Sequence, residues 1–152
     1  MNETDGRAHE AIRNTLATYN WCGDNADYEG YLATFALNGV LDLKGVGTYE
    51  GREAIRAGIL QAFGASPAQL ERRRQAGGRF SHHVSSIRIE LTSPTEARCW
   101  SYFAVAGPSG WDHWGRYTDR LTLLEGRWLF TYRRVSVDGH SPNAVMYAPD
   151  SQ

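Results

Sequence analysis

From Phe80 to Val137 the chain reads as four strand-forming segments with almost nothing between them. Thr92-Ser93-Pro94-Thr95 turns between the first and second, and Gly107-Pro108-Ser109-Gly110 between the second and third. Glu125-Gly126 links the third to the fourth. Connections this short join antiparallel neighbours, because a parallel crossover needs a dozen residues or more. Tyr117-Thr118-Asp119-Arg120-Leu121-Thr122-Leu123 alternates as a half-buried strand does, and Trp128 to Val137 closes the set. A sheet with one apolar face has to cover it, so the remainder of the chain must supply the cover.

The first half supplies helices. Thr4 or Asp5 can cap a first one, with Ala8, Ile12, Leu16 and Tyr19 along one face and Gly23 at its end. Asp24-Asn25-Ala26-Asp27 is a turn. Asp27 is placed to cap a short second helix whose inner stripe is Tyr28, Tyr31, Leu32 and Phe35. Asn38-Gly39 leads into a strand at Val40-Leu41-Asp42-Leu43, and Gly45 to Gly51 returns antiparallel to it. A third helix begins at Gly51-Arg52-Glu53, runs through Ile59, Leu60 and Phe63, and is broken at Ser66-Pro67. Residues 64 to 79 read as a long loop of the kind that serves as a lid, with Arg72-Arg73-Arg74 as a solvated flank. A polar tail carrying Pro142 and Pro149 ends the chain. The expected class is α+β: a curved, mostly antiparallel sheet wrapped on about three N-terminal helices, one domain over residues 1–152, with a pocket where strand ends meet helix ends.

Lys+Arg 16 against Asp+Glu 17 gives no electrostatic reason to expect nucleic acid or an anionic membrane as partner. No apolar run is long enough to span a bilayer. The polar, acidic start Met1 to Arg7 argues against a secretory signal, and two cysteines, Cys22 and Cys99, suit a reducing cytosol, so a cytoplasmic location is expected. The histidines and cysteines lack metal-ligand spacing, the glycine pairs precede no Lys-Ser/Thr, and no serine sits in a nucleophile-elbow frame. Five Trp, eight Tyr and five Phe serve equally well as a filled core or as the lining for a planar, greasy ligand.

The residues best suited to proton transfer are His82 and His83, at the mouth of the strand running to Leu91. Strand parity puts Ile87, Ile89 and Leu91 on the face of His83 unless a bulge intervenes, so His83 is the reserve candidate. Asp24 lies at the end of the first helix, where a carboxylate gains nothing from the helix dipole and needs a side-chain partner. If the fold brings Asp24 to His82, the histidine becomes an oriented general base. Asp119 shares parity with Tyr117 and His113, so all three can line one wall; a salt bridge to a neighbouring arginine is the other use for Asp119.

Gly23-Asp24 after the first helix, Gly45-Val46-Gly47-Thr48-Tyr49-Glu50-Gly51, His82 opening a strand, Thr118-Asp119 and Gly126-Arg127-Trp128-Leu129-Phe130 follow one another as in a known group. The chain resembles, over nearly its whole length, the SnoaL-like members of the nuclear transport factor 2-like superfamily, which are cone-shaped α+β barrels. Within it the resemblance is nearest the scytalone dehydratase and hexachlorocyclohexane dehydrochlorinase branch. That resemblance implies Asp24 orienting His82 for proton abstraction and, from the dehydrochlorinase side, Arg133 stabilising a departing anion. Departures are also implied. Tyr19 stands where the dehydrochlorinase has a lysine, while Gly23 and Leu43 stand where the dehydratase has tyrosines, and the dehydratase's second histidine falls near Gly107. The implied activity is that of a cofactor-independent lyase acting by elimination on a small hydrophobic, aromatic or alicyclic substrate, with no metal or organic cofactor. Tyr19, Tyr49, Tyr117, Asp119, His113 and Phe103 are its substrate-binding candidates. An isomerase or epoxide-type hydrolase on the same cone, or a non-catalytic small-molecule binding protein, are the alternatives. The superfamily's habit of burying the outer sheet face against another copy implies a homo-oligomer, dimer or trimer.

Overall fold

A computed structural model describes residues 2–63 and 67–147. Ser66 and Pro149, on which the expected helix break and part of the tail rest, lie outside the described residues. In chain order the elements are α1 (Glu3–Asp24), α2 (Tyr28–Leu32), β1 (Phe35–Leu43), β2 (Gly47–Glu50), α3 (Arg52–Phe63), α4 (Pro67–Ala76), β3 (Ser81–Ser93), β4 (Glu96–Gly107), β5 (Gly110–Leu124) and β6 (Arg127–His140). The strands form one mixed sheet in the order β2-β1-β6-β5-β4-β3. β1 runs parallel to β6; the other pairs are antiparallel. The result is the cone-shaped α+β arrangement: helices close the concave side of an open, curved sheet.

The local causes are readable. Asn2, rather than Thr4 or Asp5, caps α1: its side chain accepts from the Asp5 N–H, and the Asp5 carboxylate accepts from the Asn2 N–H. The face of α1 carrying Ile12, Leu16 and Tyr19 is buried against the sheet, and the Thr15 hydroxyl donates to the Trp128 carbonyl on β6 at 2.7 Å. Asp27 caps α2 as expected, accepting from the Gly30 N–H at 2.9 Å. β1 is longer than Val40–Leu43, because Phe35 also pairs with Phe130 before an irregular step in the register.

Residues 64 to 79 are not one loop. Pro67–Ala76 is a helix. Proline suits its first turn and the residues that follow, Ala-Gln-Leu-Glu-Arg-Arg-Arg-Gln-Ala, are strong helix formers. Glu71 accepts from Arg74 at 3.1 Å and from Gln75 at 2.9 Å, pairs that fit only helical spacing. Gly77 and Gly78, both at positive φ, then turn the chain into β3.

Aromatic rings fill the inside of the cone. Tyr19, Tyr31, Phe35 and Phe130 meet with ring centroids 4.4 to 6.0 Å apart, and Phe103 stacks on Tyr117 at 4.6 Å. No helix among the described residues is long and apolar enough to cross a membrane.

Candidate active site

Asp24 occupies the last turn of α1 and His82 the second position of β3, and the fold brings them together. Nδ1 of His82 lies 2.6 Å from Asp24 Oδ1, and the backbone N–H of His82 donates to Oδ2 at 2.9 Å. One carboxylate therefore fixes both the ring and the start of the strand. Their side chains are 17% and 9% exposed, so the pair is shielded without being sealed off. With the Nδ1 proton engaged by the carboxylate, the neutral ring presents Nε2 as a lone-pair acceptor.

The parity of β3 is reset by a bulge. The register with β4 slips between Ser85 and Arg88, and Ser86 takes a φ of 50°. His82 and Val84 face inward before the slip, and Ile87, Ile89 and Leu91 face inward after it. His83 points out, its ring 5.6 Å from that of Trp111. His82, not His83, is the inward histidine.

Two rings flank His82: Phe103 of β4 at 6.2 Å and His113 of β5 at 6.4 Å. His113 belongs to a second acid–histidine pair that the sequence did not announce. Its Nδ1 lies 2.8 Å from Oδ1 of Asp112, and both side chains are buried. Adjacent residues of a regular strand cannot both face inward; here the register slips between Val105 and Ala106 and turns both in. Asp112 also accepts the backbone N–H groups of Val145 (2.5 Å), Met146 (2.9 Å) and Tyr147 (3.0 Å). This clamp lays the tail over the site, with the Tyr147 ring stacked on His113 at 5.3 Å.

Burial holds the His113 imidazole below its ordinary value, against the pull of Asp112. Burial alone would raise Asp112, but the donors from Val145, Met146, His113 and Tyr147 outweigh it and leave its carboxyl below the usual value. Both shifts have one sign for stability, since the unfolded chain binds protons that the clamp refuses. The contribution of His113 is complete above 6.5 and declines as pH falls below it; that of Asp112 is lost below 3.8. The difference in urea midpoint between the native chain and a His113→Gln variant is expected to shrink from about pH 7 to about pH 5. A gap that stays constant over that range would contradict this.

Arg133 and Asp119 form the floor. The guanidinium gives Nε to Oδ1 at 2.8 Å and Nη2 to Oδ2 at 2.9 Å, and neither side chain has any solvent exposure. Burial works against the charge of Arg133, yet Asp119 more than offsets it and holds the pKa above the ordinary arginine value. The rings of Tyr19, Tyr117 and Phe130 surround the guanidinium at 4.0 to 4.2 Å. Tyr19 thus lies on Arg133, with its hydroxyl accepting from Tyr31 at 2.7 Å. His113, Tyr117 and Asp119 do share one wall, all facing inward from β5. Tyr49 stands apart: it is on β2, at the sheet edge opposite β3, packed on Gly58 of α3, where a Cβ would collide with its ring. Among the described residues no three His, Cys, Asp or Glu side chains are grouped to hold a metal ion.

The SnoaL-like domain family matches residues 5–134. The chain belongs to that family. Among solved structures, this SnoaL-like protein is similar to a proposed scytalone dehydratase from Novosphingobium aromaticivorans, at 21% identity over 99% of this chain and 95% of that one, with a TM-score of 0.77. It is similar also to a hexachlorocyclohexane dehydrochlorinase from Novosphingobium barchaimii, at 15% identity over 96% and 97% of the two chains, with a TM-score of 0.71. A Nostoc punctiforme protein of unknown function with a cystatin-like fold matches at 25% identity over 88% and 93%, with a TM-score of 0.71. No curated protein matches the sequence. One scaffold carries all three, so chemistry has to be argued from the SnoaL-like site itself.

Proposed function

We propose that this protein is a cofactor-independent lyase acting on a small hydrophobic, aromatic or alicyclic molecule. His82 Nε2 takes a proton from a substrate carbon; the electrons of that C–H bond form a double bond to the next carbon, whose leaving group departs with its own bonding pair. Asp24 keeps the tautomer and steadies the imidazolium that results. Arg133 stabilises negative charge developing at the far end of the substrate. A positioned base of this kind contributes about 10²–10⁴ in rate. The observation that carries the reading is the 2.6 Å Asp24–His82 contact, which engages Nδ1 of a half-buried ring and leaves Nε2 for a substrate proton. An isomerase would begin with the same proton removal, whereas an epoxide-type hydrolase would direct water instead.

The test is incubation with a panel of small cyclic ketones, alcohols and halides in labelled water. Elimination predicts an alkene and release of the leaving group, with no labelled oxygen in the product. Labelled oxygen would favour the hydrolase, and no alkene from any compound would remove the lyase reading.

The outer sheet face supports a homo-oligomer, dimer or trimer. Tyr102 and Trp114 stand 56% and 40% exposed there, with Arg88 over Trp100 at 5.0 Å and Arg120 over Tyr132 at 5.1 Å. Aromatic and arginine side chains are the anchors that interface cores favour. Light scattering is expected to give two or three chains per particle, and Tyr102→Glu to shift it toward one. A single-chain particle from the native sequence would contradict this. Both buried cysteines are free thiols, in keeping with a cytoplasmic location.

A further inference from the structure

The far edge of the sheet is only half covered. β3 is the last strand in the order and pairs with β4 alone. At its start His82 turns its backbone N–H away from β4, to Asp24 on α1. In a strand of L-residues the directions of side chain and N–H are locked together, so every inward residue of β3 turns its N–H and C=O to that same outer edge. Past the bulge those residues are Ile87, Ile89 and Leu91. Among the described residues no backbone bond reaches them on that side. Their side chains are half-buried, whereas the inward residues of β4, Ala97 through Val105, are buried. A groove of about 450 Å³ runs beside them, with Ile87 and Ile89 as its apolar part and Gly6, His9, Glu10 and Arg13 of α1 opposite. A Cβ on Gly6 would meet nothing.

An open edge invites another strand, and charged side chains usually guard it. Here the guards are Arg88 and Glu90, 71% and 45% exposed, which within one chain reach each other only at 3.6 Å. Together they complement themselves. We propose that a second copy of this chain pairs antiparallel along residues 87–91, about a two-fold axis at Ile89. That register sets Arg88 opposite Glu90 of the partner subunit, and Glu90 opposite the partner's Arg88. Moving the axis one residue either way sets Arg88 or Glu90 against its own like charge, which is unfavourable. A slip that breaks parity would turn isoleucines to the outer face. The chosen register also satisfies the outward N–H and C=O of Ile87, Ile89 and Leu91 in both copies, while the charged residues fall in the closer, non-bonded pairs. The incoming aliphatic side chains fill the groove, whose rim carries one acid and one base and so sets up no net repulsion. Two six-stranded sheets become one. A strand pair this short is marginal alone, so the contact is reversible and grows with concentration. It is separate from the outer sheet face and does not rest on the lyase reading.

The test mixes two chains, Arg88→Cys and Glu90→Cys, in a glutathione redox buffer. Directly opposite residues of a non-bonded pair have Cα atoms about 4.5 Å apart, within disulfide reach. Either position lies about 8 Å from its own copy, which is out of reach. The mixed disulfide should therefore exceed either self-linked pair roughly tenfold. The native cysteines are buried and stay out of the exchange. Sedimentation in the Tyr102→Glu background reads the charges. Arg88→Glu and Glu90→Arg should each weaken association about tenfold, and the two together should restore it, because the register is complementary with either sign. Self-linking as strong as mixed linking, no linking at all, or a double reversal as weak as the single ones would overturn the pair.

Discussion

Replacing His82 by glutamine is expected to slow alkene formation from the substrate by about 10²–10⁴-fold while the fold stays intact. The side chain is at a strand mouth, partly exposed, and is not part of the tight core. Asp24 would still accept the backbone N–H at 2.9 Å, so β3 remains docked on α1 when the ring is gone. Asp24→Asn should cost at least as much activity for a different reason. An amide can donate to Nδ1 and so favour the tautomer with the proton on Nε2, where the lone pair is needed, and it removes the charge that steadies the imidazolium. It also weakens a charge-assisted bond to the backbone, by about 1–2 kcal/mol of stability. The rate of alkene formation together with circular dichroism of both variants separates the two effects. Folded variants that form the alkene at the native rate would rule out the dyad as the base.

Asp119→Ala is the change expected to harm the fold most, by about 3–5 kcal/mol, because it strands a buried guanidinium without its counter-ion. Arg133→Ala should be similarly severe, so neither single variant can report on chemistry alone. The double change Asp119→Leu with Arg133→Met removes both charges and keeps most of the volume; it should recover most of the lost stability, since a buried pair contributes little over a well-packed apolar substitute. Recovered stability with alkene formation still abolished would assign Arg133 a part in the reaction beyond packing. A double variant no more stable than the single ones would show instead that the ion pair itself holds the core together. Urea midpoints read all three.

The long strands are legible in the sequence because β4, and β5 from His113 to Leu121, alternate and are joined by short turns containing proline or glycine. Asp24 and His82 are legible as chemistry, and their meeting follows from the order of elements that the family resemblance supplies. α4 escapes a periodicity reading because its segment has no apolar stripe; intrinsic propensity makes it helical. Asp112 escapes because its role depends on a slip in strand register that no alternation rule foresees. Residue type alone groups Tyr49 with the site, while sheet order puts it at the far edge.

The kink at Ser85-Ser86 bears on how this lineage can change. Both side chains project into water, but Ser86, at a φ of 50°, admits mainly glycine, asparagine, aspartate or serine, while Ser85 is free to vary. Loss of Ser86 would close the bulge into a regular ladder, with Ile87 opposite Ser101 and still on the inward face of His82 and Val84, so relatives are expected to differ there by that one residue. Loss of two would turn Ile87, Ile89 and Leu91 outward.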